Sequence, residues 1–121
     1  MIPKYISDKR RMTRFISDRH YVYTHLFPNG KFFREEYCLI KSNGNVVLHR
    51  DDGPAQSFWF ETGELQSECH LVNGNTHRLD GPARTFYLFG EYKHEYFING
   101  ERVFASSLDE FKKIVKLLIF K

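Results

Sequence analysis

The sequence of 121 residues lacks the features that mark several common protein classes. Its two cysteines, Cys38 and Cys69, stand apart without a CxxC spacing, so we expect buried or partly buried thiols, with a disulfide between them as the alternative. The longest apolar run, residues 117–120, is far shorter than the roughly 20 residues of a membrane helix, and residues 1–12 lack the apolar stretch of a signal peptide. We therefore expect a cytoplasmic protein with no membrane segment.

The usual signatures of catalysis and cofactor binding are missing as well. There is no GxGxxG or P-loop for a nucleotide, no GxSxG nucleophile elbow, and neither cysteine has a patterned His or Asp partner. The candidate metal ligands, His49, His77, Cys38 and Cys69, do not form a zinc spacing. We predict a protein that is not an enzyme and has no cofactor and no metal.

The composition does support a folded domain, because 41% of the residues are hydrophobic and 17% are aromatic. The net charge is only +3, but basic residues concentrate in a segment spanning residues 1–20. Its basic residues are Lys4, Lys9, Arg10, Arg11, Arg14 and Arg19, against the acids Asp8 and Asp18. Such a segment is either simply solvated or meets nucleic acid or an acidic partner.

One seven-residue motif occurs twice. Residues 49–55 read HRDDGPA and residues 77–83 read HRLDGPA, which gives a period of 28 residues. After each copy comes an aromatic run, a turn with Gly, a second alternating run and Asn-Gly, and the later copy lacks one residue before Gly90. The alternation, which places Leu65 and Ser67 on one side, predicts that each repeat is a β-hairpin.

The same plan appears upstream and ends in a different element. Residues 21–48 form a degenerate first repeat with an expected bulge near Phe32 and Phe33, followed by units at residues 49–76 and 77–104. Residues 106–120 have helical spacing of apolar positions, and Ser107 and Glu110 form a potential capping box. The predicted fold is a mainly β antiparallel meander of about three hairpin repeats in residues 21–104, with a C-terminal helix packed on the sheet or its end.

The repeated motif is interpreted as structural. Its Gly-Pro step fixes the backbone, its Asp suits an Asx-type turn, and its Arg is placed to pair with such a carboxylate. The residues assigned to this structural motif are His49, Arg50, Asp52, Gly53, Pro54, His77, Arg78, Asp80, Gly81 and Pro82. General acid or base chemistry by His and Asp is the competing hypothesis, but no nucleophile recurs with the motif.

Tandem units of the form HRxDGPA, followed by Gly, Tyr and Asn-Gly and terminated here by INGERVFASSLDEFKKIV, resemble the MORN-like repeat proteins of bacteriophages, large DNA viruses and bacteria. The resemblance covers about residues 49–100 and the terminating segment, and residues 1–40 match poorly. It implies an interaction module or a toxin-neutralising partner. The membrane-associated type of MORN repeat has a different glycine pattern, so lipid binding is not implied.

Surplus aromatic residues point to a protein partner. After the repeated motif, Trp59 and Tyr87 take the side of their strands opposite to Phe58 and Phe86. We therefore predict partner-binding residues Trp59, Tyr87, Tyr96, Arg10, Arg11 and Arg14.

The function predicted from the sequence is a non-enzymatic protein-binding module. The resemblance implies a phage or viral accessory protein that acts in the host cytoplasm by inhibiting a host or defence protein. Nucleic-acid binding through the basic segment and surface aromatics is the alternative. Exposed sheet edges also leave self-association into a homo-oligomer open.

Overall fold

A computed structural model of the chain describes residues 10–119, and the statements below concern that range. The strands are β1 (Arg11–Phe15), β2 (His20–Leu26), β3 (Phe32–Ile40), β4 (Val46–Leu48), β5 (Gln56–Trp59), β6 (Leu65–Cys69), β7 (Leu71–Val72), β8 (Asn75–Thr76), β9 (Arg84–Leu88), β10 (Glu91–Ile98) and β11 (Glu101–Val103), followed by the helix α1 (Leu108–Ile119). Nine strands form one sheet in the order β1-β2-β3-β5-β6-β9-β10-β11, with β4 beside β3, and β7 pairs with β8. The predicted mainly β antiparallel meander with a C-terminal helix is confirmed.

Each predicted repeat contributes one long hairpin to the sheet: β2–β3, β5–β6 and β9–β10. The first two hairpins close with three-residue loops that end at Gly30 (φ 86°) and Gly63 (φ 97°). The third closes with only Phe89 and Gly90, both at positive φ. The residue missing from the last repeat therefore shortens its hairpin turn, as the sequence alignment indicated.

Bulges accompany the three-residue loops. The pairing of β2 with β3 shifts between His25 and Leu26, which confirms the bulge expected near Phe32 and Phe33. The pairing of β5 with β6 shifts in the same way between Phe58 and Trp59, which was not predicted. Because Trp59 pairs with Leu65 while Phe58 pairs with Ser67, the prediction that Leu65 and Ser67 share a face is wrong.

The N-terminal basic segment contains a strand that the sequence analysis did not assign. Strand β1 pairs with β2 along its whole length, with Arg11 opposite His25 and Phe15 opposite Tyr21. Side chains alternate along a strand, so Arg11 and Arg14 project from opposite faces of the sheet. Predictions about residues 1–9 and about Phe120 lie outside the described range.

Tight Asn-Gly turns join β7 to β8 and β10 to β11. Asn73 (φ 51°) and Asn99 (φ 49°) both adopt the left-handed conformation and are followed by glycines at positive φ. Asn and Gly are the residues that tolerate this conformation best, which explains the recurring dipeptide.

The helix begins two residues later than the predicted range of 106–120 and continues to Ile119, the last described residue. The Glu110 N–H donates a hydrogen bond to the Ser107 hydroxyl at 3.1 Å, while the Glu110 carboxylate accepts one from the Ser106 hydroxyl at 2.6 Å. The expected cap at Ser107 is therefore present. The fully buried Phe111 stacks on Tyr96 with ring centroids 4.6 Å apart, which places the helix against β10.

The fold has a thin core because much of it is a single sheet layer. The buried apolar side chains of the described residues are Val22, Cys38, Ala55, Ala83, Phe111 and Val115. Both thiols are free, as expected, and burial raises the pKa of Cys38 and of Cys69. In the range that the structure describes, no helix is long and apolar enough to span a membrane.

Candidate functional site

The two copies of the repeated motif form nearly identical loops between hairpins, which we call joints (residues 49–55 and 77–83). In the first joint, Arg50 Nε donates to Asp52 Oδ1 at 3.1 Å and Nη1 donates to the Pro54 carbonyl at 3.3 Å. In the second joint the corresponding distances, from Arg78 to Asp80 and to Pro82, are 2.8 and 3.2 Å. The arginine therefore meets the carboxylate of its own repeat.

The arginine guanidinium of each joint lies close over the glycine. A Cβ atom at Gly53 would lie 2.7 Å from Arg50 Cζ, and one at Gly81 would lie 2.8 Å from Arg78 Cζ. Neither glycine has a positive φ, so the constraint is the close approach of the guanidinium rather than the backbone conformation. The alanine that ends each joint, Ala55 or Ala83, is fully buried.

The histidine of each joint holds the Asn-Gly turn of the same repeat unit. His49 Nδ1 accepts a hydrogen bond from the Asn73 N–H at 2.9 Å, and His77 Nδ1 accepts one from the Asn99 N–H at 3.0 Å. An accepting Nδ1 means that the ring is neutral with its proton on Nε2. In His49 that Nε2 lies 3.4 Å from the Asp51 carboxylate. Both imidazoles therefore have a structural role, because each one accepts a hydrogen bond from an Asn-Gly turn.

The joints lie over one face of the sheet, which we call the joint face. Arg50 stacks over the Tyr37 ring at 4.0 Å, and Arg78 Nη1 lies 3.3 Å from His70 Nε2. Tyr37 and His70 occupy equivalent positions, because each N–H donates to the alanine carbonyl of the following joint, at 2.8 and 2.6 Å. Each joint therefore covers one ring of the preceding hairpin.

The third hairpin has no joint after it, and the helix takes that place. Tyr96 follows the same alternation in β10 as His70 does in the preceding hairpin, and Phe111 of α1 covers it. The positions that would carry the His and Arg of a third joint hold Val103 and Phe104 instead. The helix thus ends the array by replacing the arginine that a further repeat would supply.

Among the described residues, His70 has the pKa that departs most from its usual value. Burial and the neighbouring Arg78 guanidinium lower the pKa of His70 from 6.5 to about 4. Its Nε2 is therefore an acceptor toward Arg78 near neutral pH. Arg78 also lowers the pKa of the Asp80 carboxyl, through the hydrogen bond between them.

A cavity of about 700 Å³ lies on the joint face between the two joints. Its charged lining residues are Arg50, Asp51, Asp52, Glu68, Arg78 and Asp80. Two arginines against four carboxylates give the lining a net charge of −2 when its histidines are neutral. Within the described residues, no group of three or more His, Cys, Asp and Glu side chains is arranged to hold a metal ion.

A row of apolar side chains, the aromatic row, runs across the same face at the opposite end of the hairpins. Cross-strand pairing and alternation place on this face Leu26, Phe32, Trp59, Leu65, Tyr87 and Tyr92. Phe32 and Trp59 rings lie 5.6 Å apart and Tyr87 and Tyr92 rings 5.2 Å apart. Both bulges are needed for this arrangement. Without the extra residue in the strand, Phe32 and Leu65 would project from the opposite face.

The aromatic residues predicted to bind a partner occupy different environments. Trp59 is half-buried against Phe32, and Tyr87 is 41% exposed in the aromatic row. Tyr96 stacks against Phe111 of the helix but is only half-buried, and it lines a separate surface cavity of about 290 Å³ with His94 and Arg102. The structure therefore brings Trp59 and Tyr87 to one surface and separates Tyr96 from it.

The predicted basic residues do not form one patch. Arg10 and the β1 residues Arg11 and Arg14 are exposed at the N-terminal edge of the sheet, five strands away from β9 and Tyr87 in the sheet order. Arg14 projects from the joint face and lines a second cavity of about 500 Å³ with His20, Tyr37 and Asp51. Arg11 projects from the other face.

The sequence analysis missed Phe89, the most exposed large apolar side chain among the described residues, at 93%. It stands at φ 50° in a two-residue turn, whereas two other turns with the same left-handed backbone conformation, at residues 73–74 and 99–100, use Asn. A bulky side chain is unfavourable in that conformation, and an exposed ring gains nothing from burial. The signal was present in the sequence as Phe-Gly in place of Asn-Gly.

Comparisons with protein-family profiles, with curated proteins and with solved structures gave no match.

Proposed function

We propose that this protein is a non-enzymatic module that binds another protein through the aromatic row of its joint face. The observation that carries the proposal is the exposure of this row: Phe32, Tyr87 and Tyr92 are each more than 40% exposed. Tyrosine and tryptophan are the residues most often found at the centres of protein interfaces. The exposed Phe89 lies in the turn next to Tyr87 and extends the same surface.

The joints support a binding role rather than a catalytic one. Their His, Arg and Asp side chains are engaged in contacts that connect the hairpins, and no nucleophile lies in the motif. We extend the proposal to a phage or viral accessory protein that inhibits a host or defence protein in the host cytoplasm. That extension is based on the resemblance of the repeats to MORN-like proteins.

The test is affinity capture from a lysate of the proposed host, comparing the wild type with a Tyr87→Ser/Phe89→Asn variant. We expect a partner that is retained by the wild type and lost by the variant, while a variant with Leu117→Ser, 72% exposed on the helix, retains it. Equal retention by all three proteins would contradict binding through the aromatic row.

Nucleic-acid binding through the basic segment is the alternative function. It is tested by titrating fluorescent single and double strands at several salt concentrations against the wild type and an Arg10→Gln/Arg11→Gln/Arg14→Gln variant. Strong binding that falls steeply with salt and is lost in the variant would favour this alternative over a protein partner. We expect weak binding that the variant does not change.

A further inference from the structure

We infer that the joint face binds a basic peptide segment that carries apolar side chains, with a Lys or Arg entering the cavity between the joints while an apolar side chain contacts the aromatic row. This inference rests on the proposed function and specifies the chemistry of the partner. It follows from the arrangement of charge and apolar surface on this one face.

The carboxylates available to a cation are those that the joints leave unengaged. Arg50 and Arg78 are paired with Asp52 and Asp80. From other described residues, neither a hydrogen bond nor an ion pair reaches the carboxylate of the half-buried Glu68 in the cavity wall. Asp51, 81% exposed on the rim, has only the His49 ring at 3.4 Å. Among the residues that the structure describes, the cavity therefore has a local excess of negative charge without a matching cation.

A second carboxylate, that of Glu35, lies near Glu68 on the same face of the sheet. Glu35 and Glu68 lie on either side of Ser57 in adjacent strands, and all three side chains face the joint side. Like charges on one half-buried surface repel each other, so the sheet alone gains nothing from the pair. Ser57 itself is buried at 4% exposure and Glu68 lines the cavity, so a cation in the cavity would meet Glu68 and be attracted by Glu35 at longer range.

The aromatic row is within reach of the same ligand. Trp59 lies two residues beyond Ser57 on the same face of β5, which corresponds to about 7 Å along the strand. A segment with a basic and an apolar side chain a few ångströms apart can therefore contact both Glu68 and Trp59. The cavity volume, about 700 Å³, is in the range of sites that accept side chains and small ligands, about 300–1,000 Å³.

Trp59 makes the inference directly measurable, because it is the only tryptophan in the chain. The probes are three synthetic 14-residue peptides: one of Leu and Lys, one of Leu and Glu, and one of Ser and Lys. Binding is followed by Trp59 emission and by the anisotropy of a dye on each peptide. We expect the Leu/Lys peptide to bind and shift Trp59 emission, with at least tenfold weaker binding for the other two.

A matched pair of variants tests the role of the cavity. Asp51→Asn/Glu68→Gln removes two negative charges from it, and Asp18→Asn/Glu101→Gln removes two elsewhere on the surface. We expect the first pair to weaken Leu/Lys binding at least tenfold and the second to change it less than threefold, with both proteins melting as the wild type does.

Three results would overturn the inference. They are equal weakening by the two variant pairs, equal binding of the Leu/Glu peptide, and tight binding of a single-stranded oligonucleotide at Trp59 that the Asp51→Asn/Glu68→Gln variant strengthens. The proposed function fails separately, if the captured partner is retained by the Tyr87→Ser/Phe89→Asn variant. Loss of the partner in that variant without Leu/Lys binding would refute only the basic chemistry of the ligand.

Discussion

The two ends of the hairpins differ in how their side chains are partnered. At the joint end, the polar side chains of the repeated motif find partners inside the chain, as Arg78 does with Asp80 and Pro82. At the turn end, aromatic side chains stay exposed, and Phe89 even occupies a backbone conformation that disfavours it. The joint end has what a stable array requires, whereas the turn end carries features that stability alone does not explain.

The contrast teaches where repetition is informative. The joints are repeated almost without change, and the hydrogen bonds of the His and Arg side chains within each repeat recur in both copies. The turns vary from three residues to two, and only one of them presents a Phe. We therefore look for structural roles where the copies agree and for function where they differ.

The largest effect is expected where the helix replaces a joint. Phe111→Ala removes a fully buried ring that covers Tyr96, so we expect a loss of about 3 kcal/mol in the free energy of unfolding. Leu117→Ala, at a 72% exposed position of the same helix, should change it by less than about 0.5 kcal/mol. Urea unfolding measures both. Similar losses would show that the helix does not act through its contact with Tyr96.

A smaller effect is expected from a clash inside a joint. Gly81→Ala would push the Arg78 guanidinium away from Asp80 and Pro82, at a cost of about 1.5 kcal/mol for the weakened surface ion pair and hydrogen bond. In an Arg78→Met background the same substitution should cost less than about 0.5 kcal/mol, because the clashing group is gone. Thermal or urea unfolding of the four proteins gives the coupling. An equal cost in both backgrounds would mean that Gly81 is needed for some other reason.

The joint end should also respond to acid. His70 has a pKa of about 4 in the folded protein, against 6.5 unperturbed, so between these values the unfolded chain binds more protons. Stability contributed by neutral His70 is therefore fully present above pH 6.5 and falls as the pH drops toward 4. His70→Gln should flatten, without abolishing, the decline measured by urea unfolding at pH 7, 6 and 5. Parallel curves for wild type and variant would contradict this role.

The smallest expected effect is a gain at the turn end. Phe89→Asn places a residue suited to positive φ in the turn, so we expect stability to rise by about 1 kcal/mol. Asn73→Phe, in the Asn-Gly turn between β7 and β8, which has the same left-handed backbone conformation, should lower it by a similar amount. Thermal unfolding compares the two. A loss of stability in Phe89→Asn would mean that the ring contributes to the fold, and the contrast between the two ends would weaken.

Much of the fold follows from local sequence patterns. The repeat, the alternation, the Gly turns and the capped helix are set by neighbours in the chain, and each was predicted from them. The bulge at Phe58 and Trp59 was not predicted, although the copies differ in length there: Asn73 follows Gly63 by ten positions, whereas Asn99 follows Gly90 by nine.

The candidate site was predictable only in part. Trp59 and Tyr87 were identified from their shared side of two strands, which period-two alternation determines. Tyr96 was grouped with them, although the helix covers it, because the contact with Phe111 joins residues that no local pattern connects. Glu68 was not identified as a site residue, since its importance comes from a cavity made by two joints.

By itself the sequence determined the repeated architecture: a turn motif of fixed chemistry, strands between the turns and a helix that ends the array, all encoded by interactions over a few residues. Only the tertiary structure decided which side chains meet. It brought both joints to one face, placed the aromatic row and Glu68 beside each other on that face, and separated Arg11 from Arg14. Register and bulges decide these contacts, because a shift of one residue in a strand transfers every side chain to the opposite face.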